Sequence, residues 1–122
     1  MSNRNKQIIE QVNGAFAGNN LEGFLVHCAD DVAWTIVGEK TATGKESIRQ
    51  WMSGMIGGDA PVFNVATMIA DGDLVMAHGA MTMTDENRKT VPYSYCDIYR
   101  FRGDKIVELT SFVVKTEGVA AA

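Results

Sequence analysis

Apolar positions recur with a helical period in the first half of this chain and with a period of two in the second. In residues 3–17, Ile8, Ile9, Val12 and Phe16 fall on one stripe, which predicts an amphipathic first helix. Gly18-Asn19-Asn20 interrupts it; Asn19 or Asn20 can cap the next helix, and Asn19 with Glu22 three residues on approximates a capping box. Leu21, Phe24, Leu25 and Cys28 then follow at i, i+3, i+4 and i+7, which predicts a second helix ending near Asp30-Asp31. His27 falls in its last turn, where a cation suits the helix dipole. Residues 32–37 read as a short strand, with Val32, Trp34 and Ile36 on one face and Ala33, Thr35 and Val37 on the other. Residues 38–42 read as a polar loop. Thr43-Gly44-Lys45-Glu46 is a capping box opening a third helix, whose stripe is Ile48, Trp51, Met52 and Met55 and whose stop is Gly57-Gly58.

From Pro61 onward the pattern is strand, turn, strand. Residues 62–70 lead through Asp71-Gly72, a hairpin signal, into residues 74–84. The polar stretch 85–89 makes the next turn. Residues 91–115 then form two long strands joined at Gly103-Asp104. Helices segregated ahead of a meandering antiparallel sheet predict an α+β fold. A sheet this long curls, and the helices must cover its concave face. The expectation is one domain over residues 1–122, with a small-residue tail at 118–122 that frays.

The strand from Val91 carries the candidate chemistry. One face presents Tyr93, Tyr95, Asp97, Tyr99 and Phe101, so a carboxylate stands in an aromatic row. If that row faces a core or cavity, desolvation disfavours the charged form of Asp97. If it faces solvent or a partner subunit, Asp97 is a structural hydrogen-bonding group. A simple two-residue turn at Gly103-Asp104 sets Asp97 opposite Thr110. Turning Leu109, Ser111 and Val113 inward instead requires a bulge near the turn, and that arrangement leaves charged Glu108 off the inner face.

Composition narrows the function classes. With 46% hydrophobic and 21% charged residues the chain is globular rather than disordered. A net charge of −4, without a Lys/Arg cluster, argues against nucleic acid. No apolar run approaches a membrane span and the N-terminus lacks an apolar signal core, so the expected location is cytoplasmic, away from membranes. Cys28 and Cys96 match neither a disulfide framework nor a zinc site, and His27 and His78 have no spaced carboxylate partner, so neither metal nor cofactor is expected. Six of the seven methionines cluster between Met52 and Met83, which suits core packing or a pliable cavity wall. Arg102-Gly103-Asp104 spells an adhesion tripeptide but reads as turn chemistry. The serines sit in no recognisable nucleophile motif.

The element order, with the phrases LEGFLVHCADDVAWTIVGE, TGKESIRQWM and YCDIYRFRGDKIVELTSF, resembles the SnoaL-like branch of the nuclear transport factor 2 superfamily. Ketosteroid isomerases, limonene epoxide hydrolases and polyketide cyclases share that cone-shaped fold. The resemblance spans nearly the whole chain and implies a small hydrophobic molecule bound inside the cone and a homodimer formed through the outer face of the sheet. It places Asp97 at the position of the protonated oxyanion-site Asp of ketosteroid isomerases, an enzyme that serves as a standard example of a carboxylic acid held neutral. The isomerase base falls on Ile36, its helix 1 Tyr on Val12, and its supporting tyrosines on Cys28 and Met52. Without the base, proton abstraction by that mechanism loses its first step. The last-strand Asp of the epoxide hydrolases falls on Ser111, and LVMAHGAMTMT supplies neither the Arg nor the Asp they need. The expected site is therefore Asp97 as the acid–base group. The expected pocket is Phe16, Trp34, Ile36, Trp51, Met52 and Met55, completed by Tyr95, Tyr99, Ser111 and Val113. Two functions stay open: an isomerase, cyclase or lyase-type enzyme acting on a small apolar carbonyl or phenolic compound, and a non-catalytic dimeric binding module.

Overall fold

A computed structural model describes residues 2–53, 62–84 and 87–116. Helix α1 (Ser2–Ala17) turns through residues 18–20 into the short α2 (Leu21–Leu25). Strands β1 (Cys28–Ile36) and β2 (Lys40–Thr43) precede α3 (Lys45–Ser53), and β3 (Val62–Asp71), β4 (Leu74–Thr84), β5 (Thr90–Arg102) and β6 (Lys105–Lys115) complete one six-stranded sheet. The spatial order is β2-β1-β6-β5-β4-β3, with β1 parallel to β6 and the other neighbours antiparallel. The expected α+β architecture holds, with a sixth strand added. Met55, the Gly57-Gly58 stop, Pro61, the start of the 85–89 turn and the 118–122 tail lie outside the described residues.

Helix α1 buries its predicted stripe, with Ile9 and Val12 fully inaccessible. Each such side chain contributes about 1.5–3 kcal/mol by leaving water. They pack with Phe24, Leu25 and Ile48 from the other helices and with Val32, Val75, Tyr99, Ile106 and Leu109 from the sheet. This core fills one end of the cone, which leaves the other end of the concave face free for a cavity.

Three local expectations are corrected. Helix α2 stops at Leu25, and Cys28 through Asp31 begin β1. Cys28 and Ala29 are buried while Asp30 and Asp31 are exposed, and Cys28 pairs with Ile106, so the apolar spacing read as helical is satisfied by a strand and its neighbours. Residues 40–43 form strand β2 rather than a loop, held against β1 from Ala33↔Thr43 to Ile36↔Lys40. Thr43 is consequently a strand residue. Gly44 takes a φ of +88°, its N–H donates to the Val32 carbonyl at 2.7 Å, and the helix begins one residue later than the capping box implied. The Glu46 carboxylate accepts from Arg49 instead.

The expected cation at the end of α2 is supplied from elsewhere. Lys105 donates through Nζ to the carbonyl of Val26, the C-cap residue, at 2.8 Å. Desolvation first, and Lys105 second, hold His27 below its usual pKa, so neutral His27 does not play that part. The adhesion-like tripeptide is likewise occupied. Arg102 pairs with Asp31 at 3.0 Å and Asp104 with Arg4 at 3.1 Å. Gly103 between them takes a φ of +64°, which the two-residue turn needs and which only glycine adopts freely.

Register decides which residues meet inside. Arg102↔Lys105 and Phe101↔Ile106 pair directly, but Arg100 then pairs with Glu108, so Val107 is an extra residue on β6. That bulge sets Asp97 opposite Ser111 and turns Leu109, Ser111 and Val113 to the inner face. The arrangement that needs a bulge is the one adopted.

Candidate functional site

The concave face and the helices enclose a cavity of about 610 Å³, within the roughly 300–1,000 Å³ of small-molecule sites. Helix α1 contributes Asn13 and Phe16, β1 contributes Trp34 and Ile36, and α3 contributes Trp51 and Met52. From the sheet come Phe63 on β3, Met81 and Met83 on β4, Tyr93, Tyr95 and Asp97 on β5, and Leu109, Ser111 and Val113 on β6. Period-two alternation explains each of these inward strand positions.

Aromatic rings form much of the wall. Trp34 meets Trp51 edge-on at 5.1 Å between ring centres, Phe16 at 5.8 Å and Phe24 at 5.5 Å. Phe63 reaches Phe16 at 6.4 Å and stands edge-on to Tyr95 at 5.5 Å. Tilted and edge-to-face pairs suit the ring quadrupoles and hold the wall in shape. Lys40 lies 4.8 Å over the Trp51 ring and caps it from outside.

Asp97 is the ionisable group deep in this wall. Burial pushes its carboxyl up to about 6, and the hydrogen bond from Ser111 pulls in the opposite direction. Ser111 is only 3% exposed and accepts a hydrogen bond from Trp34 Nε1 at 3.0 Å. The Tyr95 hydroxyl, two residues from Asp97 on the same face, is buried without a hydrogen-bond partner among the described residues. Its phenol is raised by burial and then by the Asp97 charge.

The structure brings Phe16, Trp34, Ile36, Trp51 and Met52 together with Tyr95, Asp97, Ser111 and Val113 around one cavity. Tyr99 is a correction. It faces inward but is 1% exposed, packed in the core where β5 runs back toward its turn. The filled end of the cone begins there, so the cavity stops at Asp97. Burial, followed by Asp97, Tyr95 and Cys28, raises the Tyr99 phenol well above its usual range. Phe63 was missed from sequence, while Tyr93, Leu109, Met81 and Met83 stood on the faces or in the cluster read as inward but were left out of the expected pocket. Their signal was the same alternation, readable once the sheet order is known. The polar lining, Asn13, Asn19, Asn20, Glu39 and Thr84, had no apolar pattern to reveal it. Among the described residues, no group of three or more His, Cys, Asp or Glu could hold a metal ion. Among the same residues, no helix is long and apolar enough to cross a membrane.

Three helices packed on a curved, mostly antiparallel six-stranded sheet make this an NTF2-like fold. The SnoaL-like domain model matches residues 9–109, and the chain belongs to that family. Among solved structures, an NTF2-like protein of unknown function from Burkholderia pseudomallei superimposes with a TM-score of 0.83 at 21% identity, over 91% of this chain and 90% of that one. An LEH-like epoxide hydrolase from M. tuberculosis gives 0.81 at 14% identity, over 92% and 84%. TerC, co-crystallised with polyporic acid, gives 0.79 at 19% identity, over 88% and 89%. At these identities the likeness establishes the fold. No curated protein matches the sequence.

Proposed function

We propose that this SnoaL-like domain is an enzyme of the isomerase, cyclase or lyase type, acting in the cytoplasm on a small apolar carbonyl or phenolic compound. The observation that carries the reading is Asp97, its carboxyl raised to about 6 inside a cavity of about 610 Å³. A carboxyl with that pKa populates both protonation states near neutrality, which is the condition for efficient proton transfer. As an acid it donates to a carbonyl or enolate oxygen; as a base it accepts from a phenol, an enol or an activated C–H. The aromatic wall supplies affinity for the apolar body of the substrate.

A second reading, a non-catalytic binding module, is favoured by Ile36. This apolar side chain lines the cavity and pairs with Ser111, where a base would otherwise stand. In either reading the protein pairs with a second copy through the outer face of the sheet. That proposal is supported by exposed apolar residues there: Phe112 and Val114 on β6, and Val62 and Ile69 on β3.

A thermal-shift screen of phenols, ketones and terpenoids, followed by turnover assays on the hits, tests the assignment with Asp97→Asn. The expected result is at least a tenfold loss of turnover with a correctly folded variant. Binding and turnover both unchanged would remove Asp97 from the site. Binding weakened for ligands that the wild type never converts would favour the binding module.

A further inference from the structure

We infer that Trp34 is a positioning residue for Asp97: its indole N–H fixes the Ser111 hydroxyl as a donor to the carboxyl. The inference deepens the proposed role of Asp97 and rests on it for its functional meaning, while the geometry stands without it.

An indole nitrogen can only donate, whereas a serine hydroxyl has one proton and two lone pairs. The contact of 3.0 Å between Trp34 Nε1 and Ser111 Oγ therefore makes the serine oxygen the acceptor. Its own proton must go elsewhere, because Ser111 is 3% exposed and has little water to turn to. Asp97 is directly opposite on β5, which makes its carboxyl the acceptor for that proton, in keeping with the lowering influence of Ser111 on the carboxyl. The chain of donors runs one way, from Trp34 through Ser111 to Asp97.

This order commits one oxygen of Asp97 to Ser111 whenever the carboxyl is ionised. On protonation the proton goes to the other oxygen, because the first already accepts a hydrogen bond. The acid proton is thereby directed away from the β6 wall. Trp34 holds this direction because, without it, the serine hydroxyl can rotate and exchange its donor and acceptor roles. The backbone keeps the three residues in reach: Trp34 pairs with Leu109 on β6, two residues before Ser111 on the same face, and Asp97 pairs with Ser111 from the other side.

Other groups around Asp97 must be separated from it in any titration. Tyr93, Tyr95 and Tyr99 share its strand face, Cys28 lies behind Tyr99 on β1, and Glu39 lines the cavity beyond β1. Ser111 and Leu109 from β6, Ala77 from β4 and Trp34 from β1 carry no charge. The Asp97→Asn variant removes the carboxyl and leaves all of these in place.

The experiment follows the two indole N–H cross-peaks of ¹⁵N-labelled protein from pH 4 to pH 8, assigned with Trp51→Phe. No ligand or turnover is needed, so failure here is separable from failure of the proposed function. The Trp34 cross-peak should shift with a midpoint near the Asp97 value of about 6, and the shift should vanish in Asp97→Asn. In Ser111→Ala the carboxyl ¹³C titration of Asp97 should move up by about one pH unit, the value of a lost charge-assisted hydrogen bond. In Trp34→Phe it should move up by a smaller amount. A Trp34 cross-peak that does not titrate, or titrates equally in Asp97→Asn, overturns the inference. So does an Asp97 titration that Trp34→Phe leaves in place while Ser111→Ala moves it. Should Trp34→Phe fail to fold, the wild-type and Asp97→Asn cross-peaks decide the matter.

Discussion

Asp97 and Ser111 stand directly opposite each other on β5 and β6, and they meet only because β6 carries one residue more than β5 beside the turn. Were Val107 paired with Arg100 in a regular ladder, Asp97 would face Thr110 and the inner and outer residues of β6 would exchange places. A single bulge thus decides that the hydroxyl beside the carboxyl is that of Ser111, with Leu109 and Val113 on the same inner face.

Burial raises the Asp97 carboxyl from 3.8 to about 6, so the folded protein binds its proton more tightly than the unfolded chain does. Stability from this group is complete below the unfolded value and is lost as pH rises through the folded one. The loss amounts to about 3 kcal/mol above pH 6. Asp97→Asn, which is neutral at every pH, should therefore be more stable than the wild type at pH 8, with the gap closing by pH 4. Urea denaturation at the two pH values measures it.

Tyr95→Phe removes a buried hydroxyl that has no hydrogen-bond partner among the described residues. Leaving such a group unpaired costs about 1–3 kcal/mol, so the variant should gain about 1 kcal/mol of stability in the ligand-free protein. Ligands with an oxygen that meets this hydroxyl should bind about tenfold more weakly to the variant. Thermal melts with and without a screened phenol or ketone read both effects.

Gly79 is tightly constrained on β4. A Cβ there would lie 2.1 Å from the Asn64 carbonyl oxygen and 3.0 Å from Val65 Cα, where β3 shifts register. Both obstacles are backbone, and neither can rotate away. Gly79→Ala should lower stability by about 2 kcal/mol or more, seen as a fall in Tm.

On the outer face, Phe112 is 42% and Val114 is 61% exposed. A charge placed there would be desolvated between two copies. Phe112→Glu should convert the proposed dimer to monomer in analytical ultracentrifugation, with the fold retained by circular dichroism. A wild type that sediments as monomer at high concentration would rule out the pairing.

The long strands and α1 were legible because their apolar residues keep one period for ten or more positions. Strand β4 spans the residues its alternation implies, and Ile9 and Val12 are buried as their spacing implies. Short elements were not legible. Cys28 extends the helical spacing of Leu21, Phe24 and Leu25, but pairing with Ile106 makes it a strand residue. Strand β2 is four residues with one buried side chain, Ala42, too short to show a period. For the cavity, alternation distinguished inside from outside but not filled from empty. Tyr99 and Tyr95 share one face and differ only in what the helices place over them, which no local pattern encodes.

The hydrogen bond from Trp34 to Ser111 joins residues 77 positions apart, across the parallel pairing of β1 with β6. Closing so long a loop is entropically costly and slow, and little else can reward it until β6 has docked on β5 as well. The inner end of the cavity therefore cannot exist in a partly made chain. During synthesis the first hundred or so residues would expose a half-lined apolar groove, and the Asp97 carboxyl on β5 stays unshielded until β6 follows it. The finishing of the fold and the arming of Asp97 are one event.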